Sequence, residues 1–361
     1  MRRFRDYYRQ FEEMRPEEVS LELRARRDEE RRRALSRIDA LDLSTSAWHE
    51  PPHPEAVNAA TFALRRALNA YPDASATALR GALAERHGVA AERVAVGHGA
   101  GELLRAACTV LLEGGGEALV AWPGWQPLPA LVEAAGGRAV PVPPAPAELL
   151  ERAGAGARAV LITSPGDPTG AVFSRSVVRD LCARMPDGVI VVVDEALGEF
   201  EPAGDDAAGL VAERSNLLVV RSFSKAHAMA GLRAGAALGP PELVARLAPS
   251  GGIGAPAQAA AAWAVSERGI EIAARRRAAA AAAHGQLAAA LAGSPFSGPP
   301  AAVPFAWISS DAEDGPAIAA RLAARQVYVA PGRLWGDERH VRAALRGPQA
   351  VDRLARALLA G

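Results

Sequence analysis

Short aliphatic runs recur between stretches of helical periodicity from residue 94 onward. Six of these runs are bounded by turn residues and predict buried strands, at residues 94–96, 118–121, 139–142, 159–163, 189–193 and 217–221. Helical patterns, such as those over residues 103–112 and 177–184, fall between some of them. Strands and helices that alternate in this way predict an α/β fold with a mostly parallel sheet buried on both faces.

The pattern changes after about residue 256, where a long alanine-rich helix begins. Apolar runs then follow at residues 305–308, 327–330 and 341–345, with a helix over 318–325, which is typical of a smaller α+β domain. The first forty residues instead alternate charges of both signs, as in a solvated helix or an arm on a partner subunit. We therefore predict a charged arm over 1–45, a large α/β domain over 46–255 and a small α+β domain over 256–361.

Composition narrows the classes of ligand. The formal net charge is zero and half of the residues are apolar, which argues against nucleic-acid partners and favours small molecules. Cys108 and Cys182 match no metal or disulfide spacing, and the histidines form no recognised metal-site motif, so we expect no metal. No apolar stretch reaches membrane length, and the amino terminus lacks the apolar core of a signal peptide. We expect a cytoplasmic protein.

Lys225 is the only lysine in the chain, and every other residue counted with it as basic is an arginine. A guanidinium stays protonated and cannot act as an amine nucleophile, whereas an imine to a carbonyl cofactor requires an amine. A single lysine can also be a compositional accident, so the neighbouring residues decide between the two interpretations. Lys225 lies in Ser222-Phe223-Ser224-Lys225, directly after a predicted strand.

Ligands of open α/β sheets bind at the carboxyl ends of the strands, so the residues that follow each run are candidates. Gly97-His98-Gly99-Ala100-Gly101 precedes a helix and is either an anion site built from backbone N–H groups or a plain tight turn. Asp194 ends a buried strand, where its carboxylate needs a cation such as a protonated pyridine nitrogen; a helix cap or a Mg²⁺ ligand is the alternative. Ser222, Ser224 and Arg233 can form a phosphate site, or only a serine-rich loop beside a surface arginine.

Taken together, these residues resemble the class I/II aminotransferases, which are fold-type I pyridoxal-phosphate enzymes, from about residue 43 to the carboxyl terminus. The most specific element is Ser222-Phe223-Ser224-Lys225-Ala226-His227 with Gly231-Leu232-Arg233. Asp194-Glu195-Ala196, Pro168-Thr169-Gly170 and Tyr71-Pro72-Asp73 agree with the family in order and spacing. The histidinol-phosphate branch is the most similar one. The resemblance implies a mostly parallel large domain with a smaller α+β carboxyl-terminal domain.

The resemblance also implies a pyridoxal 5′-phosphate cofactor and a catalytic pair. Lys225 would form the imine with the cofactor and then act as general base and acid at the substrate carbon. Asp194 would keep the pyridine nitrogen protonated, which makes the ring an electron sink. Trp125 falls where the family stacks an aromatic ring on the pyridine, although a tryptophan of the core is the alternative.

The remaining implied roles concern the phosphate, the substrate and the partner subunit. The cofactor phosphate would be bound by the backbone of Ala100 and Gly101 and by the side chains of Ser222, Ser224 and Arg233. Arg342 would grip the substrate α-carboxylate in a bidentate fork. Tyr71 would reach the cofactor phosphate of a neighbouring subunit, so a homodimer is expected.

Two positions depart from the family at the phenolic oxygen of the cofactor. Asp167 replaces the usual asparagine and Leu197 the usual tyrosine, and both usual residues donate hydrogen bonds to that oxygen. An ionised Asp167 would favour the protonated imine and raise the pKa of that imine. The polar residues typical of the histidinol-phosphate branch are also replaced, by Ser46-Ala47-Trp48 and Ala330, so we do not expect histidinol phosphate as the substrate.

The sequence therefore predicts an aminotransferase that exchanges an α-amino acid and a 2-oxo acid, both small molecules. Trp48, Trp335 and Leu197 would make the substrate pocket apolar, which favours an aromatic or aliphatic amino acid. A different outcome on the same cofactor, by decarboxylation, elimination or oxidation, is one alternative. A non-catalytic protein of the same fold is the other.

Overall fold

The computed structural model describes residues 23–25, 39–154, 156–202, 204–249 and 251–360. Most of the charged arm predicted over residues 1–45 lies outside these ranges. The strands, in chain order, are β1 Leu41–Asp42, β2 Val94–Gly97, β3 Glu117–Ala121, β4 Arg138–Val142, β5 Ala157–Thr163, β6 Ile190–Glu195, β7 Leu217–Ser222, β8 Gly235–Leu238, β9 Phe296–Ser297, β10 Phe305–Ser310, β11 Val327–Tyr328, β12 Ala330–Pro331 and β13 His340–Ala344. The helices are α1 Pro54–Ala67, α2 Thr77–His87, α3 Ala100–Leu111, α4 Leu128–Ala134, α5 Pro146–Arg152, α6 Arg175–Arg184, α7 Pro241–Val244, α8 Ala255–Ala264, α9 Glu267–Leu291, α10 Gly315–Ala323 and α11 Gly347–Leu359.

A seven-stranded sheet forms the centre of the larger part, in the order β2-β8-β7-β6-β5-β3-β4. Neighbouring strands from β7 to β4 pair in parallel, whereas β8 is antiparallel to both β7 and β2. The predicted mostly parallel α/β sheet is thus confirmed, and all six predicted runs form strands. β8 was not predicted, because its Gly-Ala-Ala-Leu sequence carries little strand preference.

The central strands are buried on both faces because their side chains alternate between two cores. On β6, Val191 and Val193 pack into one core with helices α6 and α8, and Val192 packs into the other core with α3 and α4. Unbroken aliphatic runs are therefore required at these strands. Polar residues are instead accommodated at the carboxyl ends of these strands, where the sheet edge is open to ligands.

A four-stranded sheet in the order β12-β13-β10-β9 forms the second, smaller core together with α9, α10 and α11. The predicted run at 327–330 divides into β11 and β12, and β11 pairs in parallel with β1. The predicted domain boundary at residue 255 stays a prediction. Because Ala257, Ala260 and Ala264 of α8 pack in the large core, the contacts favour a boundary after α8.

Two tryptophans connect the large sheet to the smaller core. The indole N–H of Trp122, after β3, donates to the carbonyl of Trp335 at 2.9 Å. The indole N–H of Trp335 in turn donates to the carbonyl of Gly124 at 3.1 Å. These reciprocal bonds fix the loop after β3 against the segment that follows β12, beside the cleft described below.

Within the ranges described, no helix combines the length and the apolar character that crossing a bilayer requires.

Candidate active site

The candidate site is a cleft at the carboxyl edge of the large sheet. β5, β6 and β7 are neighbours and parallel, so Thr163, Asp194 and Ser222 emerge at one edge. The cleft has a volume of about 180 Å³. Most of the predicted site residues line it: Ala100, Gly101, Trp125, Asp167, Asp194, Ser222, Ser224, Lys225 and Arg233. Arg342 does not line the cleft but pairs with Asp167, which does. Tyr71 is not among the residues that line the cleft.

Lys225 lies just beyond β7, with its amine inside the cleft. Nζ donates a hydrogen bond to Oγ of Ser46 at 2.6 Å. Burial lowers the pKa of the amine below its ordinary value, Asp167 and Asp194 oppose this shift, and Arg342 adds to it. The lowered pKa increases the fraction of neutral amine, which is the form that attacks a carbonyl carbon.

The carboxyl group of Asp194 lies at the end of β6 and is 3 % exposed. Burial raises its pKa to about 7, while a hydrogen bond from the backbone N–H of Ala196 at 3.0 Å acts in the opposite direction. A cation placed against this carboxyl group would lower its pKa and be stabilised by it. The position therefore suits a ligand with a protonated ring nitrogen.

An anion site lies between the loop after β7 and the amino terminus of α3. Nη1 of Arg233 donates to Oγ of Ser224 at 3.4 Å, and the N–H of Ser224 donates to Oγ of Ser222 at 3.1 Å. Gly99, with φ +88°, precedes α3, and a Cβ atom there would lie 2.7 Å from Nη2 of Arg233. The positive φ favours glycine at this position, and a side chain there would displace the guanidinium. The guanidinium, two hydroxyls and the helix amino terminus converge on a site that fits a phosphate.

Arg233 itself adopts a left-handed backbone conformation, with φ 52°. For a residue with a side chain, such a conformation costs about 1–3 kcal/mol and persists only where the surroundings enforce it. It directs the guanidinium back toward the amino terminus of α3. The strained residue is thus further support for a functional role of this anion site.

Trp125 forms one wall of the cleft. Its backbone N–H donates to Oγ1 of Thr163 at 3.3 Å, and a Cβ atom added at Gly101 would lie 3.0 Å from its ring. The ring is half-buried rather than enclosed by the core. This position permits stacking on a ligand ring, as the resemblance implies.

Arg342, on β13, forms a buried ion pair with Asp167. Its Nη1 donates to both carboxylate oxygens, at 2.6 and 2.9 Å, and its Nη2 donates to the carbonyl of Ser44 at 2.8 Å. The guanidinium carbon lies 4.9 Å from the ring centroid of Trp335 and 5.4 Å from that of Phe305. These contacts fix the orientation of Arg342.

A charge cluster behind the cleft supports the ends of β6 and β7. The guanidinium of Arg221 donates to Glu195 and to Glu199, each at 2.8 Å, and Arg86 also pairs with Glu199 at 2.8 Å. Against the opposing effect of burial, the charges of Arg221 and Arg86 lower the pKa of Glu199 to about 2. The cluster anchors the strand ends that carry Asp194 and Ser222.

We expect Arg221→Met to lower the free energy of unfolding by about 3–5 kcal/mol, because it removes the arginine that pairs with the buried Glu195 and leaves Glu199 with Arg86 alone. Urea unfolding monitored by circular dichroism measures this loss. Arg184→Met is the matched control, since its ion pair with Asp180 is exposed and should contribute about 0–1 kcal/mol. The pKa of Glu199 is lower in the folded protein than in the unfolded chain. The stability that the charged Glu199 contributes to the fold is therefore present above pH 4.5 and lost as the pH falls toward 2. Equal losses in the two variants would contradict the assignment.

Two contacts of the cleft were not predicted from the sequence. Ser46, noted only as a departure from the histidinol-phosphate pattern, touches Nζ of Lys225, and Thr163 holds the loop of Trp125. No local pattern marks Ser46, because its partner is 179 positions away. Thr163 carried a weak signal, since it ends a predicted strand.

The chain matches the family model described as aminotransferase class I and II over residues 38–358. The chain belongs to this family. Among curated relatives, an aromatic amino acid aminotransferase of Corynebacterium jeikeium is 37% identical over 58% of this chain and 58% of that relative. A histidinol-phosphate aminotransferase of Symbiobacterium thermophilum is 34% identical over 61% and 62% of the two chains. The matched region thus spans less than two thirds of the length of these relatives.

Solved structures of the same fold include a histidinol-phosphate aminotransferase of Sinorhizobium meliloti in complex with pyridoxal-5′-phosphate, with a TM-score of 0.79, 25% identity and coverage of 91% of this chain and 92% of that chain. An aspartate aminotransferase double mutant of Thermus thermophilus gives a TM-score of 0.80, 25% identity and coverage of 97% and 99%. The predicted family, its likeness to the histidinol-phosphate branch and the fold-type I class are confirmed.

Proposed function

We propose that this member of the family is a pyridoxal 5′-phosphate-dependent aminotransferase acting on an α-amino acid and a 2-oxo acid. The observation that carries the proposal is the placement of the sole lysine. The amine of Lys225 shares one cleft with the buried carboxyl group of Asp194 and with the anion site around Arg233. An amine, a carboxylate and a phosphate site at one strand edge fit the aldehyde, ring nitrogen and phosphate of this cofactor.

When bound, pyridoxal phosphate supplies an electron sink for the negative charge that develops at the substrate carbon. Nζ of Lys225 would hold the cofactor covalently and, once released by substrate, would move the proton at that carbon. Asp194 would stabilise the protonated ring nitrogen. Arg233, with Ser222 and Ser224, would bind the phosphate.

The remaining residues would act on the ring and the substrate. The N–H groups of Ala100 and Gly101 would add to the phosphate site, and Trp125 would stack on the ring. Arg342 would bind the substrate carboxylate, in competition with Asp167. Oγ of Ser46, which accepts from Nζ of Lys225, would orient the amine when it is free.

An aromatic or large aliphatic amino acid is the proposed substrate class. Leu197, Phe200 and Phe305 form one apolar cluster with Trp48 against it, and Trp307 packs on Trp335 beside Arg342. Several relatives are named aromatic amino acid aminotransferases, which agrees with an aromatic substrate. Arg333 is the nearest arginine that could replace the phosphate-binding arginine of the histidinol-phosphate branch, but its side chain is exposed. Histidinol phosphate is therefore disfavoured as the substrate.

The test is incubation of the cofactor-loaded protein with a panel of amino acids. Transamination yields pyridoxamine phosphate and a 2-oxo acid, with loss of the absorbance band of the bound cofactor. The second candidate, a decarboxylase, lyase or oxidase, is favoured by Asp167 and Leu197, which replace two hydrogen-bond donors. Release of CO₂ or ammonia would support that candidate, and no spectral change with any amino acid would indicate a non-catalytic protein.

A homodimer is part of the proposal, as is a cytoplasmic location. Tyr71 is fully exposed, and Phe62 of α1 and the adjacent Leu68 are 62 % and 79 % exposed, which is unusual for large apolar side chains. A second copy covering this face would bury them. Tyr71 of one subunit would then contact the cofactor phosphate in the other.

We expect Tyr71→Phe to raise the dissociation constant of pyridoxal phosphate about 10- to 100-fold, because a hydrogen bond to a charged group contributes about 1.5–3 kcal/mol. Fluorescence titration of the apoprotein measures this constant. Tyr328→Phe is the matched control, since Tyr328 is exposed and its hydroxyl donates to Gln326 at 3.3 Å. A monomer in light scattering, or equal constants for both variants, would contradict the proposed dimer contact.

A further inference from the structure

Asp167 and Arg342 form the most direct charge contact at the cleft, and the two residues lie 175 positions apart. Both side chains are 10 % exposed, and the shorter oxygen–nitrogen distance is 2.6 Å. Charge-assisted hydrogen bonds of this length in a buried setting are strong. The pair is therefore a fixed part of the substrate site.

Asp167 is among the residues that line the cleft, and Arg342 is not. Arg342 is further held by the carbonyl of Ser44 and by the rings of Trp335 and Phe305. It is therefore not free to swing toward a ligand. A substrate carboxylate must share this guanidinium with Asp167 or displace Asp167 from it.

Sharing the guanidinium places two carboxylates close together beside a largely buried ion pair. Like charges at such a distance repel strongly, and the repulsion grows with the charge on the ligand. Among the lining residues the cationic side chains are Lys225 and Arg233, and the proposed function assigns both to the cofactor. A second carboxylate on the substrate is thus repelled by Asp167, and no cationic side chain among the lining residues is left to pair with it.

We propose that Asp167 is a specificity-determining residue that neutralises Arg342 and selects substrates with one carboxylate over substrates with two. The inference rests on the proposed function, because it takes Arg342 as the carboxylate ligand. It deepens that function by assigning the discrimination to one side chain. The preferred amino-acid substrate should therefore have no carboxylate on its side chain.

The test compares two unreactive ligands of equal chain length, butanoate with one carboxylate and succinate with two. Calorimetry on the cofactor-loaded protein gives both dissociation constants without turnover. In Asp167→Asn, which keeps an oxygen to accept from Arg342, the constant for butanoate should fall about tenfold and that for succinate about a hundredfold. The ratio of the two constants should therefore shift about tenfold toward succinate.

An unchanged ratio in Asp167→Asn overturns the proposal, and weaker binding of both ligands would assign Asp167 only a role in orienting Arg342. Arg342→Gln should remove most of the butanoate affinity; wild-type affinity in that variant places the carboxylate elsewhere and also overturns the inference. Asp180→Asn, a surface variant, should leave both constants unchanged. Because turnover is not measured, failure of the amino-acid panel and failure of this test are distinguishable.

Discussion

Replacing Lys225 by arginine should abolish covalent attachment of pyridoxal phosphate and lower the transamination rate by about 10²–10⁴-fold. The guanidinium keeps the positive charge but cannot supply a neutral amine. The chain contains no other lysine that could substitute for it. Rates with the best substrate of the amino-acid panel and the visible absorbance spectrum measure the two effects.

Borohydride trapping makes the same prediction site-specific. Reduction of the loaded wild-type protein, followed by peptide mapping, should place the label on Lys225, and Lys225→Arg should carry none. Arg246→Lys is the control: Arg246 is exposed and pairs with the exposed Glu113, so the amine added there lies at the surface and should stay unlabelled. A label at position 246 in that variant, or any label in Lys225→Arg, would refute the assignment.

Asp194→Asn should lower kcat on the order of 10²–10³-fold while leaving the covalent attachment intact. The amide has the shape of the carboxyl group but cannot stabilise a cationic ring nitrogen. Steady-state kinetics and borohydride trapping together separate the two effects. Asp180→Asn, an exposed ion-pair partner of Arg184, should keep wild-type rates.

A pH series gives a second measure of Asp194. Burial raises its pKa to about 7 in the protein without cofactor, so the carboxyl group is mostly neutral below pH 7 and mostly charged above. Binding of a cofactor with a protonated ring nitrogen should therefore weaken as the pH falls below 7. Asp194→Asn should remove this dependence. A kcat within a few-fold of wild type and an unchanged pH profile would together exclude the assigned role.

The features that could be predicted from the sequence are those carried by local pattern. β5, β6 and β7 follow from unbroken aliphatic runs, because strands buried on both faces tolerate few polar residues. Asp194 was singled out because it directly follows such a run, and Lys225 because it is the only lysine in the chain and lies shortly after another run. The geometry of parallel strands then brings their carboxyl ends to one edge without further information.

The features that escaped prediction depend on the path of the chain in three dimensions. β8 is a strand because β2 and β7 hold it between them, not because its alanines and glycine prefer extended backbone. The partnership of Asp167 with Arg342 joins the loop after β5 to β13. From the sequence, Asp167 was expected to lie at the phenolic oxygen of the cofactor, and no pattern indicated that it would pair with Arg342.

The reciprocal indole bonds of Trp122 and Trp335 should make the tryptophan fluorescence of the protein sensitive to the position of the two sheets. Trp122 follows β3 of the large sheet and Trp335 follows β12 of the smaller one, so a hinge motion that separates the two sheets would break these bonds and change the surroundings of both indole rings. A bound pyridoxal group absorbs in the region of tryptophan emission and quenches nearby indoles. Intrinsic fluorescence of the unlabelled protein should therefore follow cofactor loading through quenching and opening of the cleft through a spectral shift.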